Sequence, residues 1–381
     1  MQLETKLPKV GTTIFSVMSQ LAVEHKAVNL GQGFPDFEPP EALRDAITRA
    51  MAEGKNQYAP GVGIAKLREQ IAIKTERLYG HRVSPDTEVT VTSGATEALF
   101  SAIAALVRAG DEVIVFDPCY DSYEPAIELQ GATAVHLPLT LPAFAIDWQR
   151  VRDAVTPKTR MILINSPHNP SGAVLSRGDL DELAAIVRNT PIVVLSDEVY
   201  EHIVFDGHEH QSVLRHEELA ARSIVVSSFG KTYHCTGWKV GYAIAPKALT
   251  AEFRKVHQYL TFCTFNPAQW AFAEFLESTP GHYLDLPAFY QAKRDRFRDL
   301  LKPSRLKLLD VPGGYFQLVD YSAIRDVDDI NFSEWLVREG GVAVIPLSPF
   351  YESAPDTRLV RLCFAKNDAT MEAAAELLCK L

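Results

Sequence analysis

The sequence predicts an α/β fold, in which a mainly parallel sheet flanked by helices is followed by a smaller α+β domain. Short apolar segments alternate with helical ones between residues 88 and 245 of a chain of 381. Most of these segments are apolar at consecutive positions, which is typical of parallel strands buried on both faces. With 47% hydrophobic and 23% charged residues, the chain is long enough for two domains that each have a core.

The residues before the sheet predict three helices separated by loops. Apolar residues recur at helical spacing within 10–25, and further helices are expected over 40–53 and 64–79. Two glycines and three prolines within 29–40 indicate a loop whose backbone can approach a ligand closely. We expect residues 1–40 to form an N-terminal arm and part of the smaller domain.

The elements of the large domain, expected to cover 41–280, follow in order. Strands are predicted over 88–92, 112–116, 160–164, 192–195, 223–226 and 240–245. Helices are predicted from the turn at 93–97 to Arg108, over 120–130 and 176–189, and over most of the chain after 246. The smaller domain, 281–381, is expected to contain strands near 306–309, 315–319, 342–345 and 358–363 and a helix near 368–380.

Charge and composition exclude several classes of protein. A formal net charge of −10 leaves no basic face for a phosphate backbone, so no nucleic-acid partner is expected. No apolar run is long enough to cross a membrane, and residues 1–6 lack the apolar core of a signal peptide. The 5 cysteines are widely spaced without a C-x-x-C pair, which is typical of reduced thiols. We therefore expect a cytoplasmic protein.

The segment 227–242 carries the most specific chemical signal. Lys231 follows the strand predicted at 223–226, where a partly desolvated amine can attack a carbonyl. Ser228 stands just before this lysine, and a second cation, Lys239, stands just after it. A hydroxyl, an amine and a second cation around one loop suit a cofactor with both an aldehyde and a phosphate. Pyridoxal phosphate has both groups.

Polar residues also follow the other predicted strands, at the sheet edge where ligands of such folds bind. The turn at 93–96 opens a helix whose free N–H groups and dipole favour a phosphate. Asn169 lies in a loop made rigid by two prolines. Asp197 ends the strand at 192–195, where a carboxylate can keep a pyridine nitrogen protonated, and Tyr200 can donate to a phenolate oxygen.

Together these motifs resemble those of class I, fold-type I, pyridoxal-phosphate aminotransferases, over nearly the whole chain. The matching segments are Asn29–Phe37 (NLGQGFPDF), Asn169–Gly172 (NPSG), Asp197–Tyr200, the lysine loop and Val360–Phe364 (VRLCF). The finer match, over 227–242 and 255–262, is similar to bacterial methionine aminotransferases of the kynurenine and glutamine transaminase branch.

The resemblance implies catalytic and cofactor-binding roles for the matching residues. Lys231 would hold the cofactor as a Schiff base, and Asp197 would pair with the ring nitrogen. Asn169 and Tyr200 would bond the phenolate oxygen, while Tyr120 would stack on the ring. The implied phosphate contacts are Gly94, Ala95, Thr96, Ser228 and Lys239, together with Tyr58 from the partner subunit of a homodimer.

The resemblance also implies how the substrate binds. Arg361 and Asn169 would take the α-carboxylate, with the Gly33 backbone nearby. The side-chain pocket is expected to include Phe15, Tyr58 and either Tyr315 or Phe316, without a second arginine for a distal carboxylate.

Two positions depart from the pattern of the family. Lys239 stands where many class I members have arginine, so it supplies a point charge rather than a fork. Cys235 stands where the bacterial methionine aminotransferases usually have methionine.

No metal site is predicted, since His208, Glu209 and His210, with His202 nearby, are expected in an exposed hairpin.

The implied activity is transfer of the amino group of methionine, or of another large neutral or aromatic amino acid, to a 2-oxo acid by a ping-pong mechanism. Alternatives that stay open are a β-lyase of sulfur amino acids or cysteine S-conjugates, and a kynurenine or glutamine transaminase. A cofactor-free pair of Lys231 and Asp197 would leave the phosphate-type turns unexplained. A ligand sensor without catalysis is disfavoured, because such regulators carry a basic DNA-binding segment.

Overall fold

The computed structural model describes residues 4–381, so the first three residues of the expected arm lie outside it. The elements before the large sheet are α1 (Ile14–Glu24), β1 (Val28–Asn29), α2 (Glu41–Ala52) and α3 (Ala65–Tyr79). The next are β2 (Val89–Thr92), α4 (Ala95–Leu106), β3 (Glu112–Asp117), α5 (Tyr123–Glu128), β4 (Thr133–Pro138), α6 (Trp148–Ala154), β5 (Thr159–Asn165), α7 (Arg177–Val187), β6 (Val193–Asp197), α8 (Glu217–Ala220), β7 (Ser223–Ser228), α9 (Phe229–Thr232) and β8 (Gly241–Ile244).

The C-terminal part begins with long helices and ends in a small sheet. Its elements are α10 (Lys247–Leu260), α11 (Asn266–Ser278), α12 (Gly281–Leu301), β9 (Lys307–Leu308), β10 (Phe316–Asp320), α13 (Asp329–Arg338), β11 (Val342–Ala343), β12 (Ile345–Pro346), β13 (Leu359–Cys363) and α14 (Asp368–Leu378). Among the described residues, no helix is both long and apolar enough to cross a membrane.

The large sheet has seven strands in the order β2-β8-β7-β6-β5-β3-β4. Strand β8 runs antiparallel to both of its neighbours, and the other neighbouring pairs are parallel. The expectation of a mainly parallel sheet is therefore confirmed. The polar residues at the ends of β5, β6 and β7 consequently meet at one edge of the sheet.

Both faces of this sheet are covered, which explains why its strands are apolar at consecutive positions. On β3, Ile114 contributes to one core together with Leu183 of α7. Val113 and Val115 contribute to a second core together with Leu99 of α4. Consecutive residues of one strand are thus buried in different cores.

The smaller sheet has four strands in the order β12-β13-β10-β9, and each neighbouring pair is antiparallel. Its core is formed with α12 and α14. Strand β1 pairs in parallel with β11, so the N-terminal arm packs against the C-terminal part of the chain. The domain limits, 41–280 and 281–381, stay a prediction.

Several elements were not expected from the sequence. Strand β4 lies at the edge of the large sheet and pairs only with β3, and its residues are not continuously apolar. Helix α6 has only 7 residues, so its apolar periodicity spans less than two turns. Helix α13 was missed as well, although the Asp328 side chain caps it by accepting a hydrogen bond from the Asn331 N–H.

The prediction of an exposed hairpin around the histidines holds for His208 and Glu209, which are exposed after a turn at 206–207, but it is wrong for the other two. His202 and His210 are both buried. His210 Nε2 lies 2.9 Å from Glu198 Oε2, and His202 Nε2 lies 3.7 Å from Glu201 Oε1. His202 and His210 are therefore buried next to glutamate carboxylates, whereas the turn between them is exposed.

Candidate active site

One cavity collects the side chains that follow β2, β3, β5, β6 and β7. Every residue predicted to contact the cofactor within one subunit lines it, namely Gly94, Ala95, Thr96, Tyr120, Asn169, Asp197, Tyr200, Ser228, Lys231 and Lys239. Phe15, Gly33 and Arg361 are not in its wall, but they reach it through contacts described below. Residues far apart in sequence are thus assembled at one edge of the sheet, as expected for this type of fold.

Lys231 lies in the short helix α9, directly after β7. Its Nζ atom donates to the Gly33 carbonyl at 3.0 Å and to the Tyr315 hydroxyl at 2.9 Å. Tyr315 in turn donates to the same Gly33 carbonyl, at 2.6 Å. Burial lowers the pKa of Lys231 to about 8. A fraction of the amine is therefore unprotonated near neutral pH and able to act as a nucleophile or a base.

Asp197 is the last residue of β6 and is only 4% exposed. The Tyr123 hydroxyl donates to its Oδ2 at 2.7 Å, and the Val199 N–H donates to its Oδ1 at 3.3 Å. Burial raises the pKa of Asp197 to about 6, although both hydrogen bonds favour the ionised form. The carboxylate is therefore an acceptor that gains from a cationic or N–H partner in the cavity.

Arg361 lies on β13 and is 1% exposed. It donates from Nη1 to Asn169 Oδ1 at 2.8 Å and from Nη2 to the Gly31 carbonyl at 2.8 Å. Its Nε is buried and has no hydrogen-bond partner within residues 4–381. The guanidinium lies 4.0 Å from the centre of the Phe316 ring and 5.2 Å from that of Phe15. A buried cation with an unused donor is suited to bind an anionic group.

The start of α4 forms a concave backbone surface that suits an anion. Gly94 has a φ of +81°, and a Cβ there would lie 3.4 Å from the Lys239 Nζ atom. A Cβ at Gly241 would lie 3.0 Å from the Ala95 nitrogen. Glycine at 94 lets the lysine approach the start of a helix of 12 residues, and glycine at 241 lets the backbone of β8 approach the same turn. Helix dipole and ammonium both favour a phosphate here.

Aromatic side chains fill the space between these polar groups. The Tyr200 ring packs edge-on against Tyr315 at 5.0 Å, and Lys231 Nζ lies 5.5 Å from the centre of each ring. Tyr120 packs edge-on against Tyr123 at 5.6 Å. Burial raises the pKa values of Tyr120 and Tyr200, so both hydroxyls stay protonated and able to donate.

Tyr58 stands apart from the other predicted residues. It is 80% exposed and packs edge-on against Phe262 at 5.0 Å. Within one chain it does not line the cavity of Lys231. This position is compatible with the expectation that Tyr58 acts in a neighbouring subunit.

The sequence did not point to Tyr123 or Asn165, and it gave Tyr315 only as one of two alternatives for the wall of the substrate pocket. Tyr123 bonds Asp197, and Tyr315 bonds Lys231. The Asn165 amide donates to the Asp197 carbonyl at 2.9 Å and its oxygen accepts from the Asn169 N–H at 2.8 Å. Asn165 ends β5, so its place at a strand end was an available signal, whereas Tyr123 and Tyr315 come from an adjacent helix and the smaller sheet.

The residues present fit pyridoxal phosphate. The backbone surface at Gly94, with Lys239 against it, suits the phosphate. The buried Asp197 carboxylate suits a ring N–H, and the Lys231 amine suits an aldehyde. The fold and this site together therefore define an enzyme that uses pyridoxal phosphate.

Comparisons with known proteins give the family. The model of the family "Aminotransferase class I and II" matches residues 25–378. The chain therefore belongs to the class I and II aminotransferases, and its cofactor is pyridoxal 5′-phosphate. A cofactor-free lysine and aspartate pair is accordingly set aside.

Two relatives and one solved structure are similar over nearly the full length. The chain is 53% identical to methionine aminotransferase of Escherichia coli, over 99% of this chain and 98% of the relative. It is 41% identical to a probable N-succinyldiaminopimelate aminotransferase of Mycobacterium tuberculosis, over 97% and 96%. The crystal structure of YbdL from Escherichia coli, described as a methionine aminotransferase, matches with a TM-score of 0.98 at 52% identity, over 100% of both chains.

Proposed function

We propose that this enzyme transfers the amino group of methionine, and of other large neutral or aromatic amino acids, to a 2-oxo acid. The observation that carries the proposal is the setting of Arg361, a buried guanidinium between the rings of Phe15 and Phe316. The guanidinium suits the α-carboxylate that every amino acid has, so it sets the substrate class. The neighbouring side chains then decide which amino acid is preferred.

These neighbours favour an uncharged side chain. Besides Arg361, the cations at the site are Lys231 and Lys239 among the described residues, and both have cofactor roles in this proposal. A second carboxylate next to Phe15 would lose its hydration without gaining a partner. A thioether packs well against aromatic edges. The full-length similarity to a methionine aminotransferase supports the same preference.

The chemistry divides between the cofactor and this chain. When bound, pyridoxal phosphate supplies an aldehyde for the amine and a ring that withdraws electrons from the substrate Cα. The Lys231 amine would hold the cofactor through its aldehyde and, when free, would accept the proton from the substrate Cα as a general base. The Asp197 carboxylate would pair with the ring nitrogen and favour its protonated form.

The remaining residues of the site would hold and orient the cofactor and the substrate. Asn169 and Tyr200 would bond the phenolate oxygen of the ring, and Tyr120 would stack on its face. The backbone of Gly94, Ala95 and Thr96 and the side chains of Ser228 and Lys239 would hold the phosphate. Arg361 and Asn169 would hold the substrate α-carboxylate, with the Gly33 backbone nearby. These positions fix the Cα–H bond next to the lysine, so that proton transfer needs little reorganisation.

We further propose that the active form is a homodimer in the cytoplasm. Large hydrophobic side chains are exposed on one surface, with Tyr58 at 80%, Tyr259 at 92% and Phe265 at 51%. Phe262, which packs against Tyr58, is itself 48% exposed. A subunit interface would cover this apolar surface and bring Tyr58 to the phosphate site of the partner. The free cysteines of the described chain support a reducing compartment.

One assay tests the proposed activity. The purified, cofactor-loaded enzyme is given methionine or aspartate with the same 2-oxo acid, and kcat/KM is measured for each. We expect methionine to be preferred at least tenfold, and turnover to stop when the oxo acid is omitted. Pyruvate formed from a cysteine S-conjugate without an oxo acid would instead identify a β-lyase, and binding without turnover would identify a sensor.

A further inference from the structure

A second cavity lies next to the active site and shares Tyr120 with it. Its walls are the segment Lys9–Ile14, helix α5 and the residues Pro349–Glu352. His136 of β4 and the carboxylates of Glu124 and Glu352 face one another across it. His136, Glu124 and Glu352 take no part in the proposed transamination.

The orientation of His136 is the unusual feature of this cavity. The side chain is 8% exposed, and its Nδ1 lies 2.7 Å from Asp117 Oδ1. Its Nε2 is buried without a hydrogen-bond partner among residues 4–381. That atom points instead toward Glu352 Oε2 at 3.4 Å and Glu124 Oε1 at 3.9 Å. A buried imidazole nitrogen left free between two carboxylates is suited to a cation.

We propose that His136 Nε2 and the carboxylates of Glu124 and Glu352 bind one divalent transition-metal cation, with Zn²⁺ and Mn²⁺ as the fitting examples. The three atoms lie within 4.8 Å of one another. Ligands bonded to Zn²⁺ at about 2.1 Å in a tetrahedron stand about 3.4 Å apart, so small side-chain rotations suffice. One imidazole with two carboxylates suits these borderline cations better than Mg²⁺, which prefers oxygen ligands and water.

The groups behind the proposed ligands already have the arrangement that such sites use. Asp117 Oδ1 fixes the imidazole through Nδ1, as carboxylates do behind metal-binding histidines. Asp117 Oδ2 accepts from the Glu352 N–H at 2.9 Å, so one carboxylate orients two of the ligands. Cys119 is close, but burial raises the pKa of its thiol well above the usual value, which disfavours a thiolate ligand.

Lys9 occupies the same acidic space. Its Nζ lies 3.3 Å from Glu124 Oε1 and 3.6 Å from Glu352 Oε1, and the side chain is 62% exposed. A metal ion and an ammonium cannot both sit between these carboxylates, so metal binding displaces Lys9. Because Lys9 belongs to the segment that leads into α1 and Phe15, the metal changes how that segment is held.

Isothermal titration of the pyridoxal-phosphate-loaded enzyme with ZnCl₂ and MnCl₂ tests the site. We expect one ion per chain for the native protein, and affinity at least tenfold weaker for His136→Gln and for Glu352→Gln. Glu352 is 47% exposed, so its substitution tests the site without disturbing a core. The matched control is His216→Gln, which removes another histidine paired with a carboxylate, at 3.5 Å from Asp181. It should leave the affinity unchanged.

Two further variants separate a built site from chance binding. Asp117→Asn should weaken Zn²⁺ roughly tenfold without removing a ligand, and Lys9→Met should strengthen it at least threefold by removing the competing cation. Native affinity in both His136→Gln and Glu352→Gln, or no binding of either ion at 1:1 stoichiometry, would overturn the proposal. Unchanged affinity in Lys9→Met would show that metal binding does not displace Lys9.

Discussion

The guanidinium of Arg361 and the side-chain oxygen of Asn169 are joined by a 2.8 Å hydrogen bond across 192 residues of sequence. Arg361 belongs to the smaller sheet, whereas Asn169 lies in the loop after β5 of the large sheet. The bond therefore connects the expected carboxylate site with the cofactor cavity. It leaves the Nε of Arg361 as a donor without a partner among residues 4–381.

The planar guanidinium of Arg361 is predicted to be essential for activity with methionine. Arg361→Lys keeps the charge but loses the planar donors that contact Asn169 and Gly31. We expect kcat/KM for methionine to fall roughly 10²-fold, because a buried polar network is left with unpaired groups. The control is Arg358→Lys. Arg358 lies just before the same strand and pairs with exposed Asp326 and Asp356. It should stay within about twofold, and equal losses in both variants would contradict the assignment.

Asp197 is predicted to lower the stability of the cofactor-free enzyme while supporting catalysis. Folding raises its pKa from 3.8 to about 6, so the folded state binds the proton more tightly. Stability is therefore lost as the pH rises from about 4 to 6, by about 3 kcal/mol in total. Asp197→Asn should make the cofactor-free protein more stable in urea unfolding at pH 8.

The same Asp197→Asn variant should lose activity. Without the carboxylate the ring nitrogen is no longer held protonated, and we expect kcat to fall roughly 10²-fold. Turnover within about threefold of native, together with unchanged stability, would show that Asp197 only ends a strand. A gain in stability together with a loss of kcat is expected only if the buried charge of Asp197 serves the cofactor.

The Tyr315 hydroxyl is predicted to position the catalytic amine. Tyr315→Phe removes the 2.9 Å contact with Lys231 and should lower kcat roughly tenfold, with KM for methionine nearly unchanged. The pH at which kcat rises should shift, because the amine loses a hydrogen-bond partner. Tyr290→Phe is the matched control, since its ring lies 5.8 Å from Tyr315 but its hydroxyl contacts His234. A change in KM alone would argue for a wall of the pocket instead.

Much of this site could be predicted because strand ends and motif residues coincide. Lys231 and Asp197 each follow a continuous apolar run, and Arg361 lies within one, so each could be placed on the sheets from local pattern alone. Their partners could not. Tyr123 lies 74 residues from Asp197, and Tyr315 lies 84 residues from Lys231. A tyrosine whose ring only packs in the core has the same local sequence pattern as one whose hydroxyl bonds a residue of the site.

The second cavity shows the same limit more strongly. Glu124 lies on α5 and Glu352 follows a loop of the C-terminal part, while His136 lies on the edge strand β4. That strand was missed because its residues are not continuously apolar. With the strand absent from the expected topology, no sequence argument could place His136 against either carboxylate.

The proposed homodimer is predicted to share residues between its two active sites. Lys231→Ala and Tyr58→Ala should each be inactive or nearly so as homodimers. After the two variants are mixed under conditions of subunit exchange, part of the activity should return, because one site of each heterodimer then carries neither lesion. No recovery despite proven exchange, or a fully active monomer, would contradict a role of Tyr58 across the interface. Tyr259→Ala alone tests whether the exposed surface itself is needed for dimerisation.

The assignment of Lys231 as the cofactor lysine can be tested by borohydride reduction, which fixes the cofactor to the amine that holds it. Lys74 and Lys366 are buried too, but Lys74 is bound to Glu201 at 2.7 Å and Lys366 to the Phe34 carbonyl at 2.9 Å, and neither lines the cavity. Lys231 does line the cavity, and burial lowers its pKa to about 8. Reduction of the pyridoxal-phosphate-loaded enzyme, followed by peptide mapping, should place the pyridoxyl group on Lys231. A label on Lys74, Lys239 or Lys366 would show that Lys231 is not the cofactor lysine.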